Sequence, residues 1–160
     1  MKKSKMTEGR VVGVCISKKR GVSKENVSSG ILQKDYGLVG DAHAGTNKQV
    51  SLLTQEDIEE ADIPASPGNF AENITTRGID LLALKIGGEL QIGSALISIT
   101  QFGKTPEEMC GHSFSYQGIA LLPTKGVFAK VINGGEVEVG DKIRVTRRDN
   151  SVRNWGCKYE

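Results

Sequence analysis

The sequence predicts a mainly β protein that folds as a closed or nearly closed β-barrel with a few short helices. Glycine supplies 20 of the 160 residues and aromatic residues only 5%. Glycines that are scattered without a period are typical of many tight turns. Short alternating apolar segments separated by these turns favour a barrel over a helical bundle.

The predicted barrel occupies most of the chain. A length of 160 residues is typical of one domain that can bury its own core. We predict an N-terminal extension over residues 1–9, the barrel domain over residues 10–146 and a polar, basic tail over residues 147–160.

Residues 10–17 predict a buried first strand and residues 74–76 a brief one, while residues 50–53 form a short apolar run. Cys15 lies inside the first run, where we expect it to act as a small buried hydrophobic residue. Thr54 precedes a run of acidic helix formers, which predicts an N-capped helix that reaches Ala61. Residues 125–134 also predict a helix, of one or two turns, which stops at Asn or Gly.

An internal similarity supports the β assignment. Residues 87–94 read GGELQIGS and residues 134–141 read GGEVEVGD. Each segment alternates with a period of two, reaches a glycine turn and is followed by a second apolar segment, over residues 95–100 and 142–146. This pattern predicts two hairpins.

Composition and charge exclude several classes of protein. The formal net charge of +2 is too balanced to indicate nucleic acid or a membrane surface as a partner. The lysine-rich start has no apolar run behind it and does not resemble a signal peptide. Three widely separated cysteines favour reduced thiols in a cytoplasmic protein over disulfides or a zinc site.

The candidate reactive group is Cys110, in the segment KTPEEMCGHS. Thr105, Pro106 and Glu108 predict a helix start, with a cap, a favourable first residue and a capping box. This places Cys110 within roughly the first turn and a half, where backbone N–H groups stabilise a thiolate. The neighbouring glutamates oppose that effect. His112 is either a base for the thiol or an exposed loop histidine.

Two glycine-rich loops carry further polar candidates. Residues 36–49 hold Asp41 and His43 between glycines, and residues 66–73 hold Glu72 between polar amides. One Asp and one His are too few ligands to indicate a metal site. These side chains either contact a ligand or orient their loops. The alternative for the first loop is a glycine-stabilised turn with a solvated Asp41.

Several segments in order resemble the MOSC domain, the module named for the C-terminal part of molybdenum-cofactor sulfurases. They are GLVGDAHAG at residues 37–45, QVSLL behind it, PGNFAENITTRGIDL at 67–81, IGGELQIGSALISITQFGK at 86–104 and GVFAKVINGGEVEVGDKI at 126–143. The similarity runs from about Arg10 to Val145. It is closest to the short stand-alone prokaryotic members.

The resemblance implies a β-barrel with small helices and a link to the molybdenum cofactor. It implies that Cys110 carries sulfur as a persulfide or ligates molybdenum, with His112 beside it. A pterin cofactor would also need polar and basic contacts, for which we expect Asp41, His43, Lys48, Asn69, Glu72, Asn73 and Lys104. Arg77 and Lys125 are further candidate counter-charges.

Three functions follow from the resemblance. The chain could transfer persulfide sulfur from Cys110 to a metal centre such as the molybdenum cofactor. It could bind the cofactor without carrying sulfur, or use the cofactor to reduce N-hydroxylated compounds. The expected partners are a cysteine desulfurase as donor and a molybdoenzyme or cofactor-synthesis protein as acceptor. No pyridoxal phosphate is expected on this chain.

Overall fold

The computed structural model describes residues 8–105 and 114–147. The described chain forms the following elements: β1 (Glu8–Ile16), β2 (Glu25–Asn26), β3 (Ser29–Gln33), β4 (Gly37–Leu38), β5 (Val50–Thr54), α1 (Gln55–Glu60), β6 (Ile74–Arg77), a 3₁₀ turn (Leu81–Ala83), β7 (Glu89–Ile92), β8 (Ala95–Phe102), α2 (Leu122–Lys125), β9 (Val127–Asn133), β10 (Gly135–Glu138) and β11 (Lys142–Arg147). None of the described helices has the length and apolar character needed to cross a membrane.

Seven strands close into a barrel, which confirms the predicted fold class. Their order is β1-β11-β7-β8-β9-β5-β6, and β6 returns to pair with β1. Only the β5–β6 pair is parallel among these seven pairings. A parallel pair needs a crossover connection, and here that connection contains α1 and the loop that precedes β6.

The interior of the barrel is the main core. It is filled by buried aliphatic side chains of the barrel strands, such as Val14, Leu52, Ile97 and Val131. A second, three-stranded sheet, β10-β3-β4, adds Leu32, Leu38 and Val137 to the same core. Burying side chains of this size removes apolar surface from water, which is the dominant favourable contribution to folding.

The two predicted hairpins have different outcomes. The first is confirmed, because β7 and β8 pair antiparallel across the turn at Gly93. The second is wrong, since β10 pairs with β3 while β11 pairs with β1 and β7. The turn between β10 and β11 is bonded instead to β1, where Val11 accepts from Gly140 N–H and donates to Asp141 O. Local alternation identifies a strand but not its partner.

The predicted helix over residues 125–134 is also wrong. The helix α2 ends at Lys125, and Val127–Asn133 forms the barrel strand β9. This strand is hydrogen-bonded to both β5 and β8, and Val127, Ala129 and Val131 point into the main core. Pairing with strands distant in sequence therefore overrides the local helical signal.

Two other local predictions are confirmed. Thr54 caps α1 by accepting from Asp57 N–H at 3.0 Å, and Ile58 is the helix residue buried against the protein. The helix ends one residue before the predicted Ala61. Cys15 is fully buried in β1, and this burial raises the pKa of its thiol well above the ordinary range. Cys15 is thus a structural residue.

Candidate functional site

A cavity lies on the outer face of the barrel, above β5 and β9. Val50 and Leu52 of β5 point into the main core. Because side chains alternate along a strand, Ser51 between them faces the opposite side. Ser51 is paired in register with Phe128 of β9. These two residues form the floor of the cavity.

The cavity encloses about 440 Å³, a volume typical of small-molecule sites. The side chains around it are basic, polar or apolar, and among the described lining residues no carboxylate occurs. They are Arg20, Gly21, His43, Lys48, Ser51, Ala71, Lys104, Phe114, Leu122 and Phe128. Basic side chains around a concave surface favour a negatively charged ligand.

One wall of the cavity is apolar. Ala71, Leu122 and Phe128 form a small buried cluster separate from the main core, and Phe114 packs against it. The ammonium of Lys48 lies 5.8 Å from the centre of the Phe128 ring, in cation–π range. The wall therefore places aromatic side chains next to positive charge.

Asp41 anchors the loops on the basic side. Its carboxylate is buried and accepts from Lys24 Nζ at 2.8 Å, from Ser17 N–H at 3.0 Å and from His43 N–H at 2.9 Å. Burial by itself would raise the pKa of Asp41, but the hydrogen bonds from His43 and Lys24 outweigh it and hold that pKa well below the ordinary range. Asp41 is therefore ionised and fixes the loops that carry Arg20 and His43.

His43 connects this anchor to the cavity. Its Nδ1 lies 3.8 Å from Asp41 Oδ2, and about a third of its side chain is exposed (32%). The loop around it is closed by Thr46, whose hydroxyl donates to the carbonyl of His43 at 2.7 Å. The backbone of His43 is thus fixed by groups on its own loop, at the edge of the cavity.

The loop before β6 is held by its own side chains. Asn73 Oδ1 accepts from Ser51 N–H at 3.0 Å, and Asn73 Nδ2 donates to Cys15 O at 3.0 Å. The Asn73 N–H donates to Ser51 Oγ at 3.0 Å. Asn73 therefore fixes the Ser51 side chain on the cavity floor.

Glu72 organises the same loop from inside the protein. It is fully buried, and its Oε2 accepts from Gly68 N–H at 3.0 Å and from Thr75 Oγ1 at 2.5 Å. Burial raises the pKa of Glu72 despite these bonds. Next to it, Ala71 lines the cavity in the left-handed region, with φ of 73°. A non-glycine residue there stores strain, which buried bonds around it must sustain.

The structure divides the predicted polar residues into two groups. His43, Lys48 and Lys104 line the cavity. The side chains of Asp41, Asn69, Glu72 and Asn73 form hydrogen bonds within and between loops, Asn69 by accepting from Ser66 N–H at 2.7 Å. In these contacts they orient the loops that surround the cavity.

The remaining candidates lie elsewhere. Cys110 and His112, with the predicted helix start at Pro106 and Glu108, fall outside the described residues. Lys104 and Phe114, which stand on either side of that segment in sequence, both line the cavity. Arg77 forms an exposed ion pair with Glu59 at 2.6 Å. Lys125 ends α2 and is not among the lining residues.

Sequence reasoning missed Lys24 and most of the apolar wall. Lysine is almost never fully buried, so Lys24 in a polar stretch gave no signal of its role. Ser51, Ala71, Leu122 and Phe128 resemble ordinary core or strand residues in sequence. Arg20 and Gly21 gave the one usable signal for a cavity residue, because a basic residue next to a glycine in a loop is typical of an anion-binding loop.

Fold and site together define a small closed β-barrel protein with a basic, aromatic-floored cavity on its outer face. The sequence model of the MOSC domain matches residues 39–144. The chain therefore belongs to the MOSC domain family. This family is linked to molybdenum-cofactor binding or sulfur transfer.

Solved structures share the fold at low sequence identity. The YuaD protein from Bacillus subtilis is 20% identical with a TM-score of 0.63, over 86% of this chain and 95% of that one. YiiM from Escherichia coli is 21% identical with a TM-score of 0.60, over 88% and 70%. A hypothetical protein is 23% identical with a TM-score of 0.64, over 93% and 72%. No curated protein sequence matches this chain significantly.

Proposed function

We propose that this protein binds the molybdenum cofactor in the outer-face cavity and transfers sulfur to a metal centre through Cys110. The observation that carries the proposal is the basic, aromatic-floored cavity in a chain that matches the MOSC domain. Lys104 and Phe114 support the part assigned to Cys110, because they line the cavity and flank its segment in sequence.

The residues present fit such a cofactor. Arg20, Lys48 and Lys104 offer positive charge for a phosphate group, since ammonium and guanidinium groups are its usual partners. Phe114 and Phe128 contribute aromatic side chains to the lining beside the pterin ring, and Ser51 offers a fixed hydroxyl. When bound, the cofactor would supply the molybdenum that accepts sulfur.

The protein's own chemical step is thiol exchange. The Cys110 thiolate attacks the outer sulfur of a persulfide on a cysteine desulfurase. A new S–S bond forms on Cys110, the donor's S–S bond breaks, and the donor cysteine leaves as a thiolate. Acceptance of sulfur needs a reduced thiol, so the proposed location is a reducing compartment such as the cytoplasm. The proposed acceptor is a molybdoenzyme or a cofactor-synthesis protein.

A binding experiment can compare a lysine that lines the cavity with a lysine elsewhere on the surface. Lys48→Met should lower the amount of copurifying pterin roughly tenfold, because it removes a positive charge and a cation–π contact. Lys125→Met, in which the lost charge lies outside the cavity lining, should retain it. The measurement is pterin fluorescence after oxidation of the purified protein. Equal retention by both variants would contradict the cofactor site.

The role of Cys110 has its own test. After incubation with a cysteine desulfurase and cysteine, intact-mass analysis of the wild type should show a gain of one sulfur atom. Cys110→Ser should abolish the gain, while Cys157→Ser should leave it unchanged; Cys15 is buried and should not react. A gain that persists in Cys110→Ser would remove Cys110 from the mechanism.

A second candidate function is cofactor binding without sulfur transfer. It is favoured by the fact that three basic side chains and an aromatic floor are provided without Cys110. In that case Cys110→Ser would still copurify with pterin, and the wild type would show no sulfur adduct. Reduction of an N-hydroxylated compound by cofactor-loaded protein would instead indicate the third function.

A further inference from the structure

The hydroxyl of Ser51, on the cavity floor, has most of its hydrogen bonds fixed by one neighbour. The Ser51 O–H donates to Asn73 Oδ1 at 3.2 Å, and Ser51 Oγ accepts from the Asn73 N–H at 3.0 Å. A serine hydroxyl can donate once and accept twice. Within the described part of the chain no further hydrogen bond reaches Ser51 Oγ. One acceptor position of this oxygen therefore remains.

Backbone groups fix the orientation of the Asn73 amide. Its Oδ1 accepts from the Ser51 N–H at 3.0 Å, and its Nδ2 donates to the carbonyl of Cys15 at 3.0 Å. A backbone N–H can only donate and a backbone carbonyl can only accept. Exchange of the amide oxygen and nitrogen would break both bonds, so it is the Oδ1 atom that faces Ser51.

The direction of the Ser51 hydroxyl follows from this orientation. Asn73 Oδ1 has two acceptor positions, which the N–H and the O–H of Ser51 fill. If the hydroxyl rotated to donate to a ligand, one of these buried positions would lose its partner, which costs free energy. The hydroxyl therefore keeps its hydrogen on Asn73 and presents a lone pair to the cavity.

We infer that Ser51 is a specificity-determining residue of the cavity, which accepts a hydrogen bond from an amino group on a planar heterocycle such as an aminopteridine. Asn73 is its positioning residue. The inference rests on the proposed function, because it specifies which edge of a pterin-type ligand meets the floor. The aromatic side chains of Phe114 and Phe128 belong to the same lining.

The same polarity excludes other ligand groups from the floor. A carbonyl oxygen or an ionised phosphate oxygen carries only lone pairs and would face the lone pair of Ser51. An anionic group of the same ligand therefore belongs beside the basic part of the lining, which includes Arg20. The ligand is oriented with its amino edge on Ser51 and its anionic end away from it.

The test compares two planar anions that differ in one group, pterin-6-carboxylate and lumazine-6-carboxylate. The exocyclic amino group of the first, a donor, is replaced by an oxo group, an acceptor, in the second. Isothermal titration calorimetry of the full chain near neutral pH measures both dissociation constants. We expect the wild type to bind the pterin compound roughly tenfold more tightly, since the oxo group leaves the Ser51 acceptor without a partner.

Two serine variants assign the preference. Ser51→Ala removes the acceptor but keeps the backbone bonds of residue 51 to Asn73, and it should bind the two compounds about equally. Ser94→Ala changes an exposed serine outside the cavity lining and should keep the preference. The comparison of ligands in the wild type tests the inference even if Ser51→Ala is unstable.

The outcomes separate the inference from the proposed function. If the wild type binds the lumazine compound as tightly as the pterin compound, or more tightly, the inference is overturned and the proposed cofactor site stands. A preference that persists in Ser51→Ala would overturn the role of Ser51. An absence of binding of either compound would contradict both the inference and the cofactor site.

Discussion

Lys24→Met is expected to lower the free energy of unfolding by roughly 3–5 kcal/mol, the range for breaking a buried ion pair. The side chains of Lys24 and Asp41 are 1% and 0% exposed. The variant leaves the Asp41 carboxylate buried without its cation, so desolvation of that charge is no longer compensated. Urea denaturation monitored by circular dichroism measures the change.

The controls separate burial from charge. Arg77→Met breaks an ion pair that is 50% and 53% exposed, and little change is expected because solvent screens such pairs. The double variant Lys24→Met/Asp41→Leu should lose less stability than Lys24→Met alone, because no charge remains buried. If Lys24→Met and Arg77→Met lowered the free energy of unfolding equally, the buried Lys24–Asp41 pair would not have the stabilising role proposed for it.

Acid should weaken the stabilisation that comes from the buried Lys24–Asp41 pair. The pKa of Asp41 is lower in the folded protein than the value of about 3.9 in an unfolded chain. The stability it contributes is therefore complete above that value and is lost as the pH falls towards the folded pKa. Lys24→Met should show less of this acid dependence, since the hydrogen bonds from His43 remain but the bond from Lys24, which also lowers the pKa of Asp41, is gone.

Gly68→Ala is expected to destabilise the protein by roughly 3–5 kcal/mol, from a strained backbone together with overpacking. Gly68 has φ of 92°, and a Cβ there would overlap the carbonyl oxygen of Lys24. The same glycine accepts from Lys24 N–H at 2.8 Å and donates to Glu72 at 3.0 Å. A shift of Gly68 would therefore displace both loops beside the cavity.

Gly140→Ala is the matched control for this substitution. Gly140 has a similar φ of 98° but no atom within 4 Å of an added Cβ. It should cost only the backbone strain of about 1–2 kcal/mol. Chemical denaturation of both variants measures the difference. If the two substitutions cost the same, the close contact with Lys24 does not contribute to stability.

Lys24→Met and Gly68→Ala should also differ in their effect on ligand binding from variants on the cavity surface. Lys24 and Gly68 do not line the cavity, yet they hold the segments that carry Arg20, His43 and Ala71 in place. Their substitution should weaken ligand binding and stability together. Lys48→Met should weaken binding alone, because Lys48 is at the cavity and only partly buried.

The structural role of the loop side chains followed only partly from sequence. The glycine-rich loops around Asp41 and Glu72 were recognisable, and both loops contribute to the cavity through His43 and Ala71. The sequence did not show which of their side chains line the cavity and which hold the loops in place. Asp41 and Lys24 are 17 positions apart, and no local pattern links a buried carboxylate to a distant lysine.

The β-barrel class, the capped helix at Thr54, the buried role of Cys15 and the family resemblance were all predictable from the amino-acid sequence. These features depend on local patterns of turns, alternation and capping. Strand pairing became known only from the three-dimensional structure, in which β10 pairs with β3 rather than β11 and Val127–Asn133 is a strand. It also placed Ser51 and Phe128 on the floor of a cavity, because cross-strand register is a non-local property that a strand's own residues do not encode.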